Sequence, residues 1–316
     1  RKSLAMSKVL VTGATGLLGR QVIAAFSRDP AWVVRGLCFS RSGSGLVQCD
    51  LTQPAAVEAQ FKEFEPDIVI HCAAERRPDR VEGNATEVAK LNVGATATLA
   101  ELCSARGAFL IYMSTNYVFD GKAAPYAEDA QPCPVNAYGK SKLDGEEVVI
   151  KAGPKTAVLR VPLLFGPTDS LEESSATMVL QQIISKPYSV LDDWQQRYPT
   201  STQDIARVLL FWCSEYVKRR DDPGLAGVFH WQAPEMHTKY SMGKILARIA
   251  NLPEEFTGSD QPPPAGAAPR PQFEAMSCAR MEAVLGSNAG QCLTAFEPAM
   301  RAALETVLVK DGHRQQ

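Results

Sequence analysis

The sequence predicts an α/β chain: a Rossmann-type doubly wound parallel sheet, followed by a smaller carboxyl-terminal α/β domain. Three observations predict it. A short apolar run, Val9 to Val11, leads into Thr12-Gly13-x-x-Gly16-x-x-Gly19 and then an amphipathic stretch from Gln21 to Phe26. Short apolar runs then alternate with helix-like segments through the first half of the chain, the pattern of a parallel sheet covered on both faces. Late in that half, Tyr138-Gly-Lys-Ser-Lys142 places a phenol and an ammonium four residues apart, on one face of a helix.

Strand, glycine turn and helix supply the context that a dinucleotide fingerprint requires. Thr12 ends the strand. Gly13 permits the tight turn, Gly16 lets the backbone approach a pyrophosphate, and Gly19 lets the helix pack close to the strand. The helix start then offers free N–H groups and a positive dipole end to phosphate. Without a ligand the same pattern is only a glycine-rich turn.

The second strand spans 33–39 and runs into Ser40-Arg41. NAD binders usually place an acid here for the ribose 2′-hydroxyl. None is present. Arg41, with Ser40, matches a 2′-phosphate, which predicts NADP over NAD; the plain alternative is a solvated loop arginine. A third short strand precedes Cys49-Asp50-Leu51. There Asp50 either accepts from an adenine amino group or caps the helix beginning near Pro54.

Helices over 55–64, 88–105 and 138–151 alternate with strands over 68–73, 109–113 and 157–162. Small residues around Cys72 end the fourth strand and leave room for a cofactor backbone. Arg76, in the charged loop 75–80, meets either a phosphate or solvent. Asn92 lies inside a helix, where it supports the Lys142 network through water or caps locally. Past Gly166-Pro167 the pattern loosens into helices over 178–185, 202–216, 240–250 and 296–309, a strand over 227–231 and a proline-rich loop over 259–271. The expected division is an NADP-binding domain over 7–167 and a smaller domain over 168–316, with some later elements returning to the main sheet. Trp194, Tyr198, Phe229 and Trp231 read as core more than as ligand contacts. The polar end from Lys310 reads as frayed.

Composition narrows the function classes. With 45% hydrophobic and 22% charged residues and a formal net charge of −2, no global field favours nucleic acid or an anionic membrane. No apolar run is long enough to span a bilayer. The first residues have basic groups but no apolar stretch, so they do not read as a secretory signal; the absence of an initiator methionine reads as a trimmed end. Eight cysteines without a C-x-x-C pair read as reduced, core-packed thiols of a cytoplasmic protein. The four histidines show no metal-ligand spacing, and no metal is expected.

The chemistry centres on Tyr138 and Lys142. An adjacent ammonium favours phenolate and is expected to lower the Tyr138 pKa. Such a tyrosine exchanges a proton with a carbonyl oxygen as hydride moves at carbon, and the lysine also holds the nicotinamide ribose. Ser114 and Thr115 sit where a strand end enters the cleft, so a hydroxyl there can hydrogen-bond the same oxygen; the bland reading is an ST-turn.

Thr12-Gly-x-x-Gly-x-x-Gly19, Asp50-Leu51, Asn92, Ser114/Thr115, Tyr138-x-x-x-Lys142 and Arg160-x-x-x-x-Phe-Gly166 together resemble the extended short-chain dehydrogenase/reductase family. Within it, Ser114-Thr-Asn-Tyr-Val-Phe-Asp-Gly121 and Tyr138-Gly-Lys-Ser-Lys-Leu-Asp-Gly-Glu146 resemble dTDP-4-dehydrorhamnose reductases. His71-Cys-Ala-Ala-Glu-Arg-Arg-Pro-Asp79, Gly107-Ala-Phe-Leu-Ile-Tyr112, Trp194-Gln-Gln-Arg197 and Thr238-Lys-Tyr240 are more particular and resemble the regulatory β subunits of methionine adenosyltransferase II. That resemblance spans about 8–286.

It implies a reductase-like fold that binds NADP, associates with the catalytic subunit that makes S-adenosylmethionine, and tunes it, a role in one-carbon metabolism. Carried over by position, cofactor contacts fall on Gly16, Leu17, Leu18, Gly19, Phe39, Ser40, Arg41, Asp50, Leu51, Cys72, Arg76, Tyr138, Lys142 and Leu164. A catalytic set of Thr115, Tyr138 and Lys142 is then retained in a chain whose implied role is regulatory. The alternative is an NADPH-dependent reductase of a nucleotide-linked 4-keto sugar, and a third possibility is a reductase of an unrelated substrate. Two departures stand out. Asn116 replaces the aspartate usual in these relatives, which removes a charge near the substrate carbonyl. The tail from Thr306 carries no aromatic residue, whereas the β subunits insert an aromatic-rich tail into their partner.

Overall fold

The structure, a computed structural model, describes residues 6–41, 43, 45–76, 81, 83, 85–264 and 266–310. Six strands alternate with helices in the first half: β1 (Ser7–Thr12), β2 (Trp32–Cys38), β3 (Leu46–Gln48), β4 (Ile68–His71), β5 (Phe109–Thr115) and β6 (Thr156–Val161). Five short ones follow: β7 (Leu164–Phe165), β8 (Val190–Asp192), β9 (Thr200–Ser201), β10 (Gly227–His230) and β11 (Thr257–Ser259). β1 to β6 join β10 in one seven-stranded sheet in the order β3-β2-β1-β4-β5-β6-β10. Every neighbouring pair in it is parallel. The reason is visible in β4 and β5, where Ile68, Val69, Ile70 and Phe109 to Tyr112 are fully buried. A strand apolar on both faces needs cover on both faces, and crossover helices provide it.

One face packs on α1 (Gly19–Ser27) and the helix Thr202–Lys218. There Tyr216 stacks on Phe109 at 4.0 Å and Trp212 meets Phe229 edge-on at 4.6 Å. The other face carries α2 (Pro54–Phe64) and the helices Ala95–Arg106 and Ala137–Lys151. A separate cluster gathers Phe165, Leu180, Leu191, Leu246 and Met300 from β7, β8 and the helices Thr177–Ser185, Lys239–Ala250 and Phe296–Lys310. The later residues therefore split: the helix Thr202–Lys218, β10 and the segment with Met281, Leu285 and Cys292 pack on the main sheet, and the elements of the separate cluster build a core of their own.

The strand and helix expectations are met, and β10 lies beside β6 at one edge of the main sheet. The two-stranded pairs β7·β9 and β8·β11 and the helix Ala279–Leu285 are additional. Segments of two to seven residues carry too little periodicity to be read. Phe229 and Trp231 are core, as expected, whereas Trp194 and Tyr198, also expected there, are half-buried. Five of the eight cysteines are buried, and all are free thiols; Cys133 is exposed. Among the described residues no helix is long and apolar enough to cross a membrane. Ser42, Arg77 to Arg80 and residues 311–316 lie outside the described residues.

Candidate cofactor site

The glycine turn sits at the carboxyl end of β1. Gly13 has φ +64°, and a Cβ on it would lie 2.9 Å from the backbone of Ala73 after β4. A Cβ on Gly19 would lie 2.1 Å from the Gly13 carbonyl oxygen, so only glycine lets α1 start this close to the turn. No side chain caps the start of α1, where Leu18 is the cap residue. The Arg20 and Gln21 N–H groups bond the Gly16 and Leu18 carbonyls, so an anion here would meet the N–H groups of the turn just before them. Leu17 is half-buried and Leu18 buried in this turn.

Thr12 is engaged inside the protein. Its hydroxyl lies 2.7 Å from His71 Nδ1 and accepts the Ala73 N–H at 3.3 Å. On the other side of the ring, His71 Nε2 lies 3.0 Å from Thr96 Oγ1, which donates to the Asn92 carbonyl. These partners set one direction along the chain of bonds: Thr12 donates to Nδ1, and Nε2–H donates to Thr96. Burial, then the charge of Lys142, hold the His71 pKa down at about 3, so the imidazole is neutral.

Asn92 lies in a π-helical turn, Lys90–Gly94, and is buried. Its amide accepts from Glu75 N–H at 2.9 Å and donates to the Glu75 carbonyl at 3.1 Å and to Ser141 Oγ at 3.1 Å. It thus ties the loop after β4 directly to the helix Ala137–Lys151, next to Lys142, with no water needed. Asn136 caps that helix by accepting the Gly139 N–H at 2.8 Å.

Lys142 is buried, with Nζ 4.0 Å from the centre of the Tyr112 ring. Burial draws its pKa down to about 7, against the charge of Glu146. The Tyr138 pKa is raised, because burial outweighs the Thr115 hydrogen bond and the charge of Arg76. This corrects the expected lowering of Tyr138: the buried helix face desolvates both groups, and the lysine itself gives way. Thr115 lies against Tyr138, accepts the Tyr117 N–H at 3.2 Å, and donates to Asn116 Oδ1 at 3.2 Å.

Ser114 does not face the cleft chemistry. It donates to Glu146 Oε1 at 2.5 Å, and Glu146 binds Arg160 through both oxygens, at 2.9 and 2.6 Å. Beyond Asn116 lies a second polar network. Asn116 Nδ2 donates to Glu274 Oε2 at 2.6 Å, Gln195 binds the other Glu274 oxygen, and Arg197 joins Gln195 to Asp192. Burial pushes the Glu274 carboxyl up to about 7. A carboxyl is therefore present beside Asn116, supplied from far along the chain. Glu274 lies outside every motif read in the sequence, and Glu146 and Gln195 stand in such strings without an assigned role. The signal for Glu146 is its place four residues beyond Lys142 on the same helix face; the one for Arg160 is a charge inside the apolar run of β6.

After β2, Phe39 and Arg41 are exposed, at 67% and, for the Arg41 side chain, 57%. Ser40 lies exposed between them. Arg41 donates to Glu173 at 2.9 Å. Asp50 accepts from Thr52 N–H at 2.9 Å and Thr52 Oγ1 at 2.7 Å. It organises the turn rather than capping α2, whose cap residue is Gln53. Leu51 is buried; Cys72 and Leu164 are half-buried, and Arg76 is exposed. Arg76 reaches the Glu173 carbonyl.

The family model described as RmlD substrate binding domain matches residues 7–308. The chain is 41% identical over 98% of its length to methionine adenosyltransferase 2 subunit beta of Xenopus tropicalis, covering 90% of that protein. Its identity to the Danio rerio protein of the same name is 43%, over 94% of this chain and 90% of that one. Among solved structures, a dTDP-4-dehydrorhamnose reductase from Clostridium acetobutylicum superposes with TM-score 0.78 at 26% identity, covering 95% of this chain and 99% of that one. Another, from Bacillus anthracis in complex with NADP, gives TM-score 0.73 at 23% identity over 96% and 99% of the two chains, a likeness of fold. The chain belongs to the RmlD substrate binding domain family of extended short-chain dehydrogenase/reductases, in the same family as the methionine adenosyltransferase 2 β subunits.

Proposed function

We propose that this chain is a non-catalytic regulatory subunit of methionine adenosyltransferase that holds NADP in a reductase-like groove and acts in the cytoplasm. The observation that carries the reading is identity of about two residues in five with the β subunits over 98% of the chain. The groove fits the cofactor. The uncapped start of α1 and the Gly13 to Gly19 turn would take the pyrophosphate. Arg41, beside Ser40 and Phe39, would take the 2′-phosphate end; Asp50, Leu51, Cys72 and Arg76 would flank the adenosine. Tyr138 and Lys142 would hold the nicotinamide ribose near Leu164. The bound group would supply hydride chemistry, but the chain's own residues favour holding it. Thr115 has an internal acceptor in Asn116 that competes with a substrate oxygen, and the neutral Tyr138 suits ribose binding as well as proton donation. Residues 7–167 would bind the cofactor and 168–316 would supply most of the partner-facing surface.

The test is size-exclusion co-elution with the methionine adenosyltransferase catalytic subunit, with and without NADP, together with that subunit's kinetics. A joint peak and a changed rate are expected. Separate peaks with no kinetic effect would remove the regulatory reading and favour the reductase, for which the intact Thr115, Tyr138 and Lys142 speak; NADPH oxidation with 4-keto sugar nucleotides then decides.

The cofactor preference has its own check. Arg41→Ala should weaken NADP binding by about tenfold, the worth of one charge-assisted contact, and leave NAD binding nearly unchanged. Titration calorimetry reads both, and equal effects on the two dinucleotides would remove Arg41 from the phosphate site.

A further inference from the structure

Glu173 has Arg20, Arg41 and Arg76 as partners, and they come from across the groove. Its Oε2 accepts from Arg20 at 2.6 Å, from Thr168 Oγ1 at 2.9 Å and from the Asp169 N–H at 3.3 Å. Its Oε1 accepts from Arg41 at 2.9 Å. Its carbonyl accepts from Arg76, and Arg20 also donates to the Pro167 carbonyl at 2.5 Å. Arg20 stands in the first turn of α1, Arg41 follows β2 and Arg76 follows β4. Those are the helix start and the two strand ends that flank the proposed dinucleotide groove. Glu173 belongs to the connection between β7 and the helix Thr177–Ser185, on the opposite bank.

The connection is anchored by apolar burial at Phe165, Leu171 and Ala176, and Glu173 beside Leu171 is held by charge. Phe165 and Ala176 are fully buried. Ser174 Oγ donates to the Leu164 carbonyl at 2.8 Å, and Thr177 Oγ1 to the Leu171 carbonyl at 2.7 Å. The span between them crosses to the far bank through side chains that keep contact with water, 22% exposed for Arg20, 18% for Glu173 and 57% for Arg41. Contacts of that kind are screened by salt and individually weak. The ion pairs at Glu173 can open while Leu171 stays in its core, so the part of the connection that yields to a ligand is the latch and the backbone next to it.

We propose that residues 167–174 form a strap closed across the dinucleotide groove and that Glu173 is its latch, so that a dinucleotide enters and leaves only when the latch opens. The proposal rests on the cofactor reading of the groove given above. Burial works against the Glu173 charge, yet hydrogen bonds from Arg20 and Thr168 and the charge of Arg20 hold its carboxyl down at about 2. The latch is therefore ionised throughout the neutral range.

The test uses the full chain and Glu173→Gln, with NADPH binding followed by stopped-flow fluorescence. A gate slows entry and exit alike, so the variant should raise both rate constants by about tenfold and keep Kd within about threefold. Raising salt should speed exchange in the wild type and not in the variant. Unchanged rates would overturn the gate. So would a faster release with Kd weakened in proportion, since Glu173 would then merely orient Arg20 and Arg41. Hydrogen exchange at amides 168–174 without any dinucleotide reads the latch by itself: it should quicken in the variant, and equal exchange overturns the latch. If neither protein binds NADPH, the cofactor reading fails and the gate with it, while that exchange measurement still decides whether Glu173 holds the strap.

Discussion

Replacing Glu146 by alanine is expected to lower the unfolding free energy by about 3–5 kcal/mol, the range for removing one partner of a buried ion pair. Glu146 and Arg160 have side chains only 2% and 4% exposed. The carboxylate takes Arg160 Nε and NH2 together and the Ser114 hydroxyl besides. Without it the guanidinium stays buried between β6 and the helix Ala137–Lys151 with two donors unfilled. Its third nitrogen faces His230 Nε2 at 3.3 Å, and that ring donates from Nδ1 to the Ser277 carbonyl at 3.2 Å, so His230 cannot take up the lost negative charge. The double variant Glu146→Leu, Arg160→Met should recover most of the loss, since apolar replacement of a buried pair is often neutral. Urea unfolding reads both through the midpoint at constant slope. A loss under about 1 kcal/mol for Glu146→Ala would sink the argument. The single variant should also reach the cofactor groove. The Glu146 charge is what opposes burial at Lys142, so its removal leaves less charge on the lysine at neutral pH and a weaker hold on the nicotinamide ribose.

Much of this was legible because local chemistry and global fold agree here. The run from Val9 to Gly19 reads correctly from the residues alone, since a glycine turn between an apolar strand and a helix start has few other solutions. The main-sheet strands are legible because burial on both faces leaves them apolar without alternation. What was not legible depends on pairings across the chain. Ser114 and Thr115 are neighbours in sequence, yet the pleat sends one to Glu146 and the other to Tyr138. The direction of the Tyr138 shift follows from how deeply the helix face is buried, which spacing does not reveal. Asn116 reads as a lost charge until Glu274, 158 residues away, is seen beside it. Arg41 reads as a phosphate ligand in the sequence, and the structure adds that Glu173 holds it meanwhile.

Stability should fall between pH 7 and pH 5, well above the range where surface carboxylates titrate. Two neutral histidines are responsible. Burial holds the His71 pKa down at about 3, and burial followed by the Arg160 charge does the same for His230, also at about 3. The unfolded chain binds protons at both rings below about pH 6.5 and the native state does not. Stability from each is therefore complete above that value and is lost as pH falls toward 3. Linkage gives about 2 kcal/mol per ring between pH 7 and 5, roughly 4 kcal/mol for the two. Glu274 works the other way. Its native carboxyl, raised to about 7 by burial, binds a proton before the unfolded one does, so it stabilises as pH falls from 7 toward its unfolded value and returns about half of that sum. The expected net loss is on the order of 2 kcal/mol, read as a lower urea midpoint at pH 5 than at pH 7. Glu274→Gln removes the opposing group and should steepen the loss to roughly 4 kcal/mol. A midpoint that is flat or rises toward pH 5 in Glu274→Gln would mean that His71 and His230 are charged in the native state. The one-way chain from Thr12 through His71 to Thr96 could not then hold, because both ring nitrogens would be donors and the Thr12 proton would have no acceptor.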